Sequence, residues 1–392
     1  MTFMRPAVHR LCAWVLCLLI VLPAQAGEAI KVGFSASLTG RYAEPGRSQY
    51  RGIEMWAADL NSRGALLGRP VELVYYDDAS SPDKSARIYQ RLINEDKVDL
   101  LIGPYASDIT LTASTVAERE QFPMVAAGAA AEEIWARGYR NIFGVDNPAG
   151  DYMDRVVEFA SNQGLKTIAL IYADTSFTRE VAEGVRREAA QRGMEVVFDE
   201  CFRGTTDFAA LVQRMRDTSP DLLIGGTYER AAYALVRQAK AQRLSPKILA
   251  FTVAPALSAF GNTLGADAEG VMGPVVWMRS ERKPMAYDFS FRYKERYGDD
   301  AGYHAAYGYS AGQVLEAAVR LAGSLDRGKI REQLRGMTFL SLLGRYRVDE
   351  TGKQIGEKMH VMQWQDGARR LVLPERLAER PVRYPFVPWS ER

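Results

Sequence analysis

Cysteine and histidine are scarce in this chain of 392 residues, which contains three of each. Two of the cysteines and one histidine lie within the first 26 residues. Cys201 therefore has no partner for an internal disulfide, and we interpret it as a buried, unreactive thiol. The remaining histidines, His304 and His360, are too few for a histidine-based metal or proton-relay site.

Phosphate-binding motifs and a strong charge of one sign are also missing. The sequence contains no Walker A motif, and no G-x-G-x-x-G follows a predicted strand. There are 50 basic and 48 acidic residues, and the net charge is +2. This balance offers no electrostatic reason to bind nucleic acid or a membrane surface. We expect no nucleic-acid partner, no cofactor and no metal.

The amino terminus has the pattern of a secretory signal peptide. Basic residues precede an apolar run over 11–22, and Ala24-Gln25-Ala26 forms a small-x-small cleavage site. The run is shorter than the roughly 20 apolar residues that a membrane-spanning helix needs. We therefore expect residues 1–26 to be removed and the soluble remainder to be exported to the periplasm.

Two copies of Asp-Leu-Leu-Ile-Gly occur in the chain, at 99–103 and 221–225. A short apolar run that begins after an acidic residue and ends at glycine is typical of a buried parallel strand. Helical periodicity follows each copy, over 109–119 and 229–243. Because open α/β sheets bind ligands beyond the carboxyl ends of their strands, two similar halves predict a cleft between two lobes.

Strand-like and helix-like patterns alternate along the remaining sequence. In the first half we predict strands at 30–34, 71–76, 99–103, 124–127 and 141–145. The series restarts near residue 146, with predicted strands at 167–172, 194–198, 221–225 and 248–251. Such a series implies right-handed crossovers and parallel sheets, so we predict an α/β fold whose second half copies the first.

The last third of the chain departs from this alternation. Helical patterns at 284–297 and 304–322 follow a predicted strand at 271–277, with little strand sequence between them. Two such helices must pack on an existing sheet, and we assign them to the first lobe, which makes the lobes discontinuous in sequence. A predicted strand at 359–365 and a Pro-rich tail indicate a return to the second lobe.

One catalytic pattern is present. Residues 308–312 fit G-x-S-x-G around Ser310, and Asp349 and His360 follow in the order of a hydrolase triad. That motif requires a strand before the serine, whereas these residues continue a helical pattern, so we favour close helix packing. An exported serine hydrolase that uses Ser310 stays as an alternative. Without other evident catalytic groups, the sequence indicates a binding protein and not an enzyme.

Four short motifs occur in order, at Ile30–Gly40, at Arg51–Asn61 with Gly64, at Tyr76-Asp77-Asp78 with Pro82, and at Leu101-Ile102-Gly103-Pro104. Their order and spacing resemble the branched-chain amino-acid-binding proteins of bacterial ABC importers, over most of the chain. The resemblance implies a type I periplasmic binding protein, with two doubly wound parallel-sheet lobes that close on a ligand by a hinge.

The resemblance also implies where the chain crosses between lobes. Crossovers near Asp146, Val276 and Arg347 give lobe 1 residues 28–146 and 277–346, and lobe 2 residues 147–276 and 347–372. A Pro-rich carboxyl-terminal tail then covers 373–392. We expect a monomer.

Several site residues follow from the resemblance. The family binds the ligand's α-carboxylate at a helix start, where unpaired backbone N–H groups suit an anion. Ser107 matches the hydroxyl position, and Gly128 and Ala130 match the backbone positions; Ser107 is also a good N-cap for the helix that follows. The implied aromatic walls are Tyr105, Phe177 and Tyr228.

Two residues bear on the predicted ligand. Thr252 aligns where the family commonly has a carboxylate for the ligand's ammonium group, and burying an ammonium without a counter-charge costs several kcal/mol. Asp108 could serve a cation, but we favour a solvated acid in a first helical turn. We therefore predict an amino-acid-like or other small carboxylate ligand, without a strongly bound ammonium, that is delivered to an ABC permease. A ligand sensor of the same fold that signals to a receptor is the alternative.

Overall fold

The computed structural model describes residues 2, 28–204 and 206–392. The predicted signal peptide, apart from Thr2, therefore lies outside the described residues. In the part of the chain that the structure describes, none of the helices combines the length and apolar character needed to span a bilayer.

The first sheet is entirely parallel. Its strands are β1 (Ile30–Ala36), β2 (Val71–Asp77), β3 (Leu100–Ile102), β4 (Met124–Ala126) and β5 (Ile142–Gly144). They lie in the order β2-β1-β3-β4-β5. The helices among them are α1 (Ala43–Ser62), α2 (Pro82–Asn94), α3 (Ser107–Arg119) and α4 (Glu133–Ala136).

The second sheet is formed mainly by the second half of the chain. Its parallel part contains β6 (Thr167–Ala173), β7 (Glu195–Phe202), β8 (Leu222–Gly226), β9 (Ile248–Phe251) and β10 (Met272–Val275). The helices of this region are α5 (Asp154–Asn162), α6 (Ser176–Gln191), α7 (Phe208–Asp217), α8 (Glu229–Ala241) and α9 (Ser258–Leu264). The predicted copy of the first βαβ series is therefore present.

The last part of the chain adds helices and antiparallel strands. The helices are α10 (Ala286–Tyr297), α11 (Tyr303–Ala322) and α12 (Arg327–Gly336). The strands are β11 (Phe339–Ser341), β12 (Gly344–Tyr346), β13 (His360–Gln365) and β14 (Ala368–Leu373). Whereas β11 and β12 pair only with each other, β13 and β14 extend the second sheet, whose order is β14-β13-β10-β9-β8-β6-β7.

Both Asp-Leu-Leu-Ile-Gly copies form inner strands, as predicted. The strand β3 lies between β1 and β4, and β8 lies between β6 and β9. The acidic residue before each copy has the same role. The Asp99 carboxylate accepts the backbone N–H of Lys31, and the Asp221 carboxylate accepts that of Lys166, each at 2.9 Å. Each carboxylate thereby satisfies a backbone donor at the start of a neighbouring strand.

Close packing joins α11 to α1. A Cβ atom added to Gly52 would lie 1.9 Å from the Ala305 carbonyl oxygen, and one on Gly308 would lie 2.0 Å from that of Gln49. Only glycine allows this approach of the two helices. The small residues of the G-x-S-x-G pattern therefore serve helix packing.

One expectation about the second sheet region is wrong, and the Pro-rich tail lies where it was expected. Cys201 is exposed, not buried, because it lies on β7, the strand at the sheet's edge. The Pro-rich tail packs against the second sheet region. The Trp389 indole N–H donates to the Leu244 carbonyl at 2.8 Å, and the Phe386 backbone N–H donates to the Lys247 carbonyl at 2.9 Å.

Candidate ligand-binding site

A small cavity lies where the carboxyl ends of the two sheets face each other. The first lobe contributes the loops after β3 and β4, which supply Tyr105, Ala106, Ser107, Gly128 and Ala130. The second lobe contributes Phe177, Tyr228 and Val253. The remaining walls come from Asp146 and Tyr152, after β5, and from the start of α11 with Tyr303, His304 and Tyr307. The cavity volume is about 20 Å³, room for one or two water molecules.

Six of the seven predicted site residues meet at this cavity: Ser107, Gly128, Ala130, Tyr105, Phe177 and Tyr228. They come from both lobes and from four separate segments of the chain.

Ser107 does not cap its own helix, contrary to the N-cap prediction. Ala106, at φ 76°, occupies the N-cap position of α3, which leaves Ser107 as the first helical residue. The Ser107 hydroxyl instead accepts the backbone N–H groups of Ala130 and Ala131, at 3.1 and 3.0 Å. It thus joins the start of α3 to the loop after β4, and a hydroxyl and two N–H groups converge on one side of the cavity.

Gly128 is required by crowding. A Cβ atom there would lie 2.5 Å from Gln49 Oε1 and 2.8 Å from the Tyr105 ring. The backbone N–H of Ala106 donates to the Gly128 carbonyl at 3.0 Å, which ties the two loops together. Gly128 therefore lines the cavity with backbone atoms alone, because no side chain fits at this position.

Aromatic rings from both lobes surround the cavity. The ring of Tyr42, which follows the loop after β1, lies 4.9 Å from that of Tyr228 between centroids. Tyr228 in turn lies 6.2 Å from Phe177, and Phe177 lies 4.9 Å from Tyr152. Sequence reasoning missed Tyr152, Tyr303 and Tyr307 as cavity walls, because none of them belongs to a motif that marks it as one.

Asp146 is the functional candidate that sequence reasoning missed. It is 3% exposed, and it is the one carboxylate lining this cavity among the described residues. The hydroxyls of Tyr152, at 2.9 Å, and Tyr307 both donate to its Oδ1. Burial raises the pKa of Asp146 to about 7, although these hydrogen bonds favour its charged form. Its signal in the sequence is an acidic residue two positions after a buried strand.

Thr252 does not reach the cavity. Its hydroxyl donates to the Thr227 carbonyl at 2.7 Å and accepts the Thr227 N–H at 2.8 Å, so it joins β9 to the loop after β8. The next residue, Val253, has a positive φ of 43° and lines the cavity instead.

Asp108 is neither solvated nor directed at the cavity. Its carboxylate pairs with the Arg41 guanidinium and accepts the Tyr42 hydroxyl at 3.2 Å. The prediction of a solvated first-turn acid is wrong, because the loop before α1 covers this side chain.

The hydrolase pattern does not assemble a triad. Ser310 is fully buried inside α11, and its hydroxyl accepts the Leu343 N–H at 3.1 Å. The Asp349 carboxylate accepts backbone N–H groups of its own loop, and His360 Nδ1 lies 3.3 Å from Glu281. Each member has other partners, and the strand that a nucleophile elbow needs before the serine is replaced by helix.

His304 is also unsuited to proton transfer. Its Nε2 lies 3.3 Å from the Tyr105 hydroxyl, and burial lowers its pKa to about 3. Across the described residues, no group of three or more histidine, cysteine or acidic side chains could hold a metal ion.

This fold and cavity define a two-lobed binding protein, and comparison with known proteins agrees. Residues 29–369 match the periplasmic binding protein family, and the chain belongs to that family. The predicted type I fold, with parallel sheets in two lobes, is confirmed, and the family is one of binding proteins and not of enzymes.

Individual relatives are named as binding proteins for amino acids. The leucine-, isoleucine-, valine-, threonine- and alanine-binding protein of Pseudomonas aeruginosa is 28% identical, over 88% of this chain and 93% of its own. The Leu/Ile/Val-binding protein of Escherichia coli is 28% identical, over 86% and 91%. The crystal structure of the leucine-binding protein LivK from Thermotoga maritima superposes with a TM-score of 0.80 at 25% identity, over 88% and 97%.

Proposed function

We propose that this protein captures a small amino acid with an apolar side chain in the periplasm and delivers it to the permease of an ABC transporter. The observation that carries the proposal is Asp146, a buried carboxylate in a cavity that also contains the Ser107 hydroxyl. An α-amino acid needs both an anion acceptor for its ammonium group and donors for its carboxylate. The amino-acid-binding relatives support the same class of ligand.

The ligand's carboxylate binds at the start of α3. The Ser107 hydroxyl can donate a hydrogen bond there, because the N–H groups of Ala130 and Ala131 donate to its oxygen and hold it beside the cavity. The first turn of a helix adds a favourable dipole for an anion.

The ligand's ammonium group binds Asp146. Both tyrosine hydroxyls donate to Oδ1, which leaves Oδ2 without a side-chain donor in the described part of the chain. A nearby cation favours the charged form of a carboxylate, so ligand binding lowers the raised pKa of Asp146. The alignment of Thr252 predicted a ligand without a strongly bound ammonium group. The proposed pairing with Asp146 replaces that prediction.

The ligand's side chain lies among the rings of Phe177 and Tyr228 and against Val253. Because the cavity volume of about 20 Å³ is smaller than such a ligand, the lobes move apart to admit it. Contacts between the lobes that must open include that of Tyr42 with Tyr228, at 4.9 Å between ring centroids, and that of the Glu133 backbone N–H with the Glu180 carboxylate, at 3.0 Å. We assign residues 28–146 and 277–346 to one moving unit, and 147–276 and 347–372 to the other.

Thermal unfolding with a ligand panel tests this function. Leucine, isoleucine and valine are compared with 4-methylpentanoate and benzoate, which have the carboxylate but not the ammonium. A true ligand at 100 times its Kd stabilises by about 2.7 kcal/mol. We expect the amino acids to shift Tm; a shift with the amino-free acids alone would end the ammonium assignment. Uptake of labelled leucine by cells with and without this gene tests delivery.

A further inference from the structure

A second and larger cavity adjoins the first. It has a volume of about 880 Å³, and Tyr303 lines both cavities. Its walls come from two regions: the segment from Ala256 to Gly265 with strands β13 and β14 of the second sheet, and helix α10 with the loop before α11. This volume lies within the range of sites for small organic ligands, and the amino-acid site makes no use of it.

Arginine side chains give this groove a positive character. The Arg369 guanidinium, on β14, donates to the Ala256 carbonyl and, at 3.3 Å, to the Ser258 hydroxyl. Within the described residues no carboxylate pairs with Arg369, and burial lowers its pKa. Arg279 likewise has no acidic partner there, and its guanidinium lies over the Tyr287 ring, 5.2 Å from the centroid.

The acidic residues of the groove are already paired. Asp300 accepts the Lys294 ammonium at 3.0 Å, and Glu379 accepts the Ser280 hydroxyl at 2.5 Å and lies 3.7 Å from Arg370. The half-buried Arg369 guanidinium donates only to neutral oxygens, and the charges of Asp300 and Asp299 act on it at longer range. An anion bound beside it would add a direct charge-assisted hydrogen-bond partner.

The other walls are aromatic and apolar. Trp277 and Trp364 line the groove and are 1% and 6% exposed. Two donors on the walls, the Trp277 indole N–H and the Ser290 hydroxyl, have no hydrogen-bond partner in the described part of the chain. The exposed aromatic surface of the groove is the ring of Tyr287, which is 66% exposed, so the groove offers cationic groups beside an accessible ring.

We infer that this groove is a second binding site, for an organic carboxylate with an aromatic body, whose carboxylate is bound by the Arg369 guanidinium. Arginine binds a carboxylate through two parallel N–H donors, and the exposed Tyr287 ring can pack against an aromatic body. The site lies outside the amino-acid cavity but adjoins it, and its walls come from both units that move in the proposed lobe motion.

Calorimetric titration of the purified protein with 2-naphthoate tests this inference. We expect saturable one-to-one binding, and binding of the neutral 2-naphthamide that is weaker by roughly tenfold or more, because the charge-assisted hydrogen bonds are lost. Arg369→Met should weaken naphthoate binding to a similar extent. Arg376→Met, an exposed arginine outside the groove, is the matched control and should have no effect.

Further variants separate the two cavities. Tyr228→Ala should leave naphthoate affinity unchanged; if it abolishes binding while Arg369→Met does not, naphthoate occupies the first cavity and the inference is wrong. If the Arg369→Met variant does not fold, Arg279→Met replaces it in the test, because Arg279 is exposed. Arg279→Met should also weaken naphthoate binding, but by less. If the unmodified protein does not bind naphthoate, the second site is refuted, whether or not the protein binds leucine.

Discussion

Replacing Asp146 by asparagine should separate amino acids from simple carboxylates as ligands. In the proposed binding mode the ligand's ammonium group pairs with the Asp146 carboxylate, which is 3% exposed. Removing one partner of such a pair costs about 3–5 kcal/mol, so Asp146→Asn should weaken leucine binding by roughly a hundredfold or more. 4-Methylpentanoate, which has no ammonium, should bind the variant at least as well as the unmodified protein, because an unfavourable negative charge is gone.

The pH dependence of binding gives the same test a second readout. Burial raises the pKa of Asp146 from its ordinary value of 3.8 to about 7. Below that pH the carboxyl must release a proton before it can pair with an ammonium. Leucine affinity should therefore fall by about tenfold per pH unit as pH drops below 7, and should level off above it. In Asp146→Asn this dependence should disappear.

The stability of the ligand-free protein should depend on pH in the opposite direction to leucine affinity, and should fall as pH rises. Because its folded-state pKa is raised, Asp146 favours folding at low pH, and that contribution is lost as pH rises through about 7. A rise from 3.8 to about 7 corresponds to about 4 kcal/mol. At pH 8 the ligand-free Asp146→Asn variant should then resist urea better than the unmodified protein by up to that amount, and near pH 4 the two should be similar.

Isothermal titration calorimetry between about pH 5 and pH 8 measures the affinities, and urea unfolding measures stability. Asp108→Asn is the control, since Asp108 pairs with Arg41 and does not line the cavity. It should leave the pH dependence of leucine binding intact. If Asp146→Asn binds leucine as tightly as the unmodified protein, the assignment of the ammonium group is refuted.

Three other substitutions test the site and the fold. Ser107→Ala removes the acceptor of two backbone N–H groups, so leucine affinity should fall by roughly tenfold in calorimetry, and an unchanged affinity would exclude Ser107 from the site. Gly308→Ala places a Cβ 2.0 Å from the Gln49 carbonyl and should cost about 1–3 kcal/mol in urea unfolding, whereas Gly336→Ala, with nothing within 4 Å, should not destabilise. Trp389→Ala empties a buried position of the tail, 6% exposed, and should cost about 3 kcal/mol; full stability would mean that the tail does not pack on the second sheet.

The sequence by itself determined the strands, the helices and their duplication. The two Asp-Leu-Leu-Ile-Gly copies are short apolar runs between polar residues, and that pattern suits only an inner parallel strand. Helix periodicity likewise placed α10 and α11 within two residues of their observed starts, at Ala286 and Tyr303. These features depend on residues that are neighbours in the chain, so local patterns contain the necessary information.

The family resemblance predicted six of the residues that line the cavity, but only the tertiary structure showed the others. Asp146, Tyr152 and Tyr307 converge there from separate segments, and no local pattern encodes that meeting. The direction of a single side chain also depends on backbone geometry: a positive φ at Val253 brings it to the cavity, while Thr252 joins two strand ends. Ser107 is similar, because its hydroxyl bonds to a neighbouring loop and not to its own helix. The ammonium partner could be found only once distant segments were folded against each other, since a buried carboxylate has its raised pKa only inside that packing.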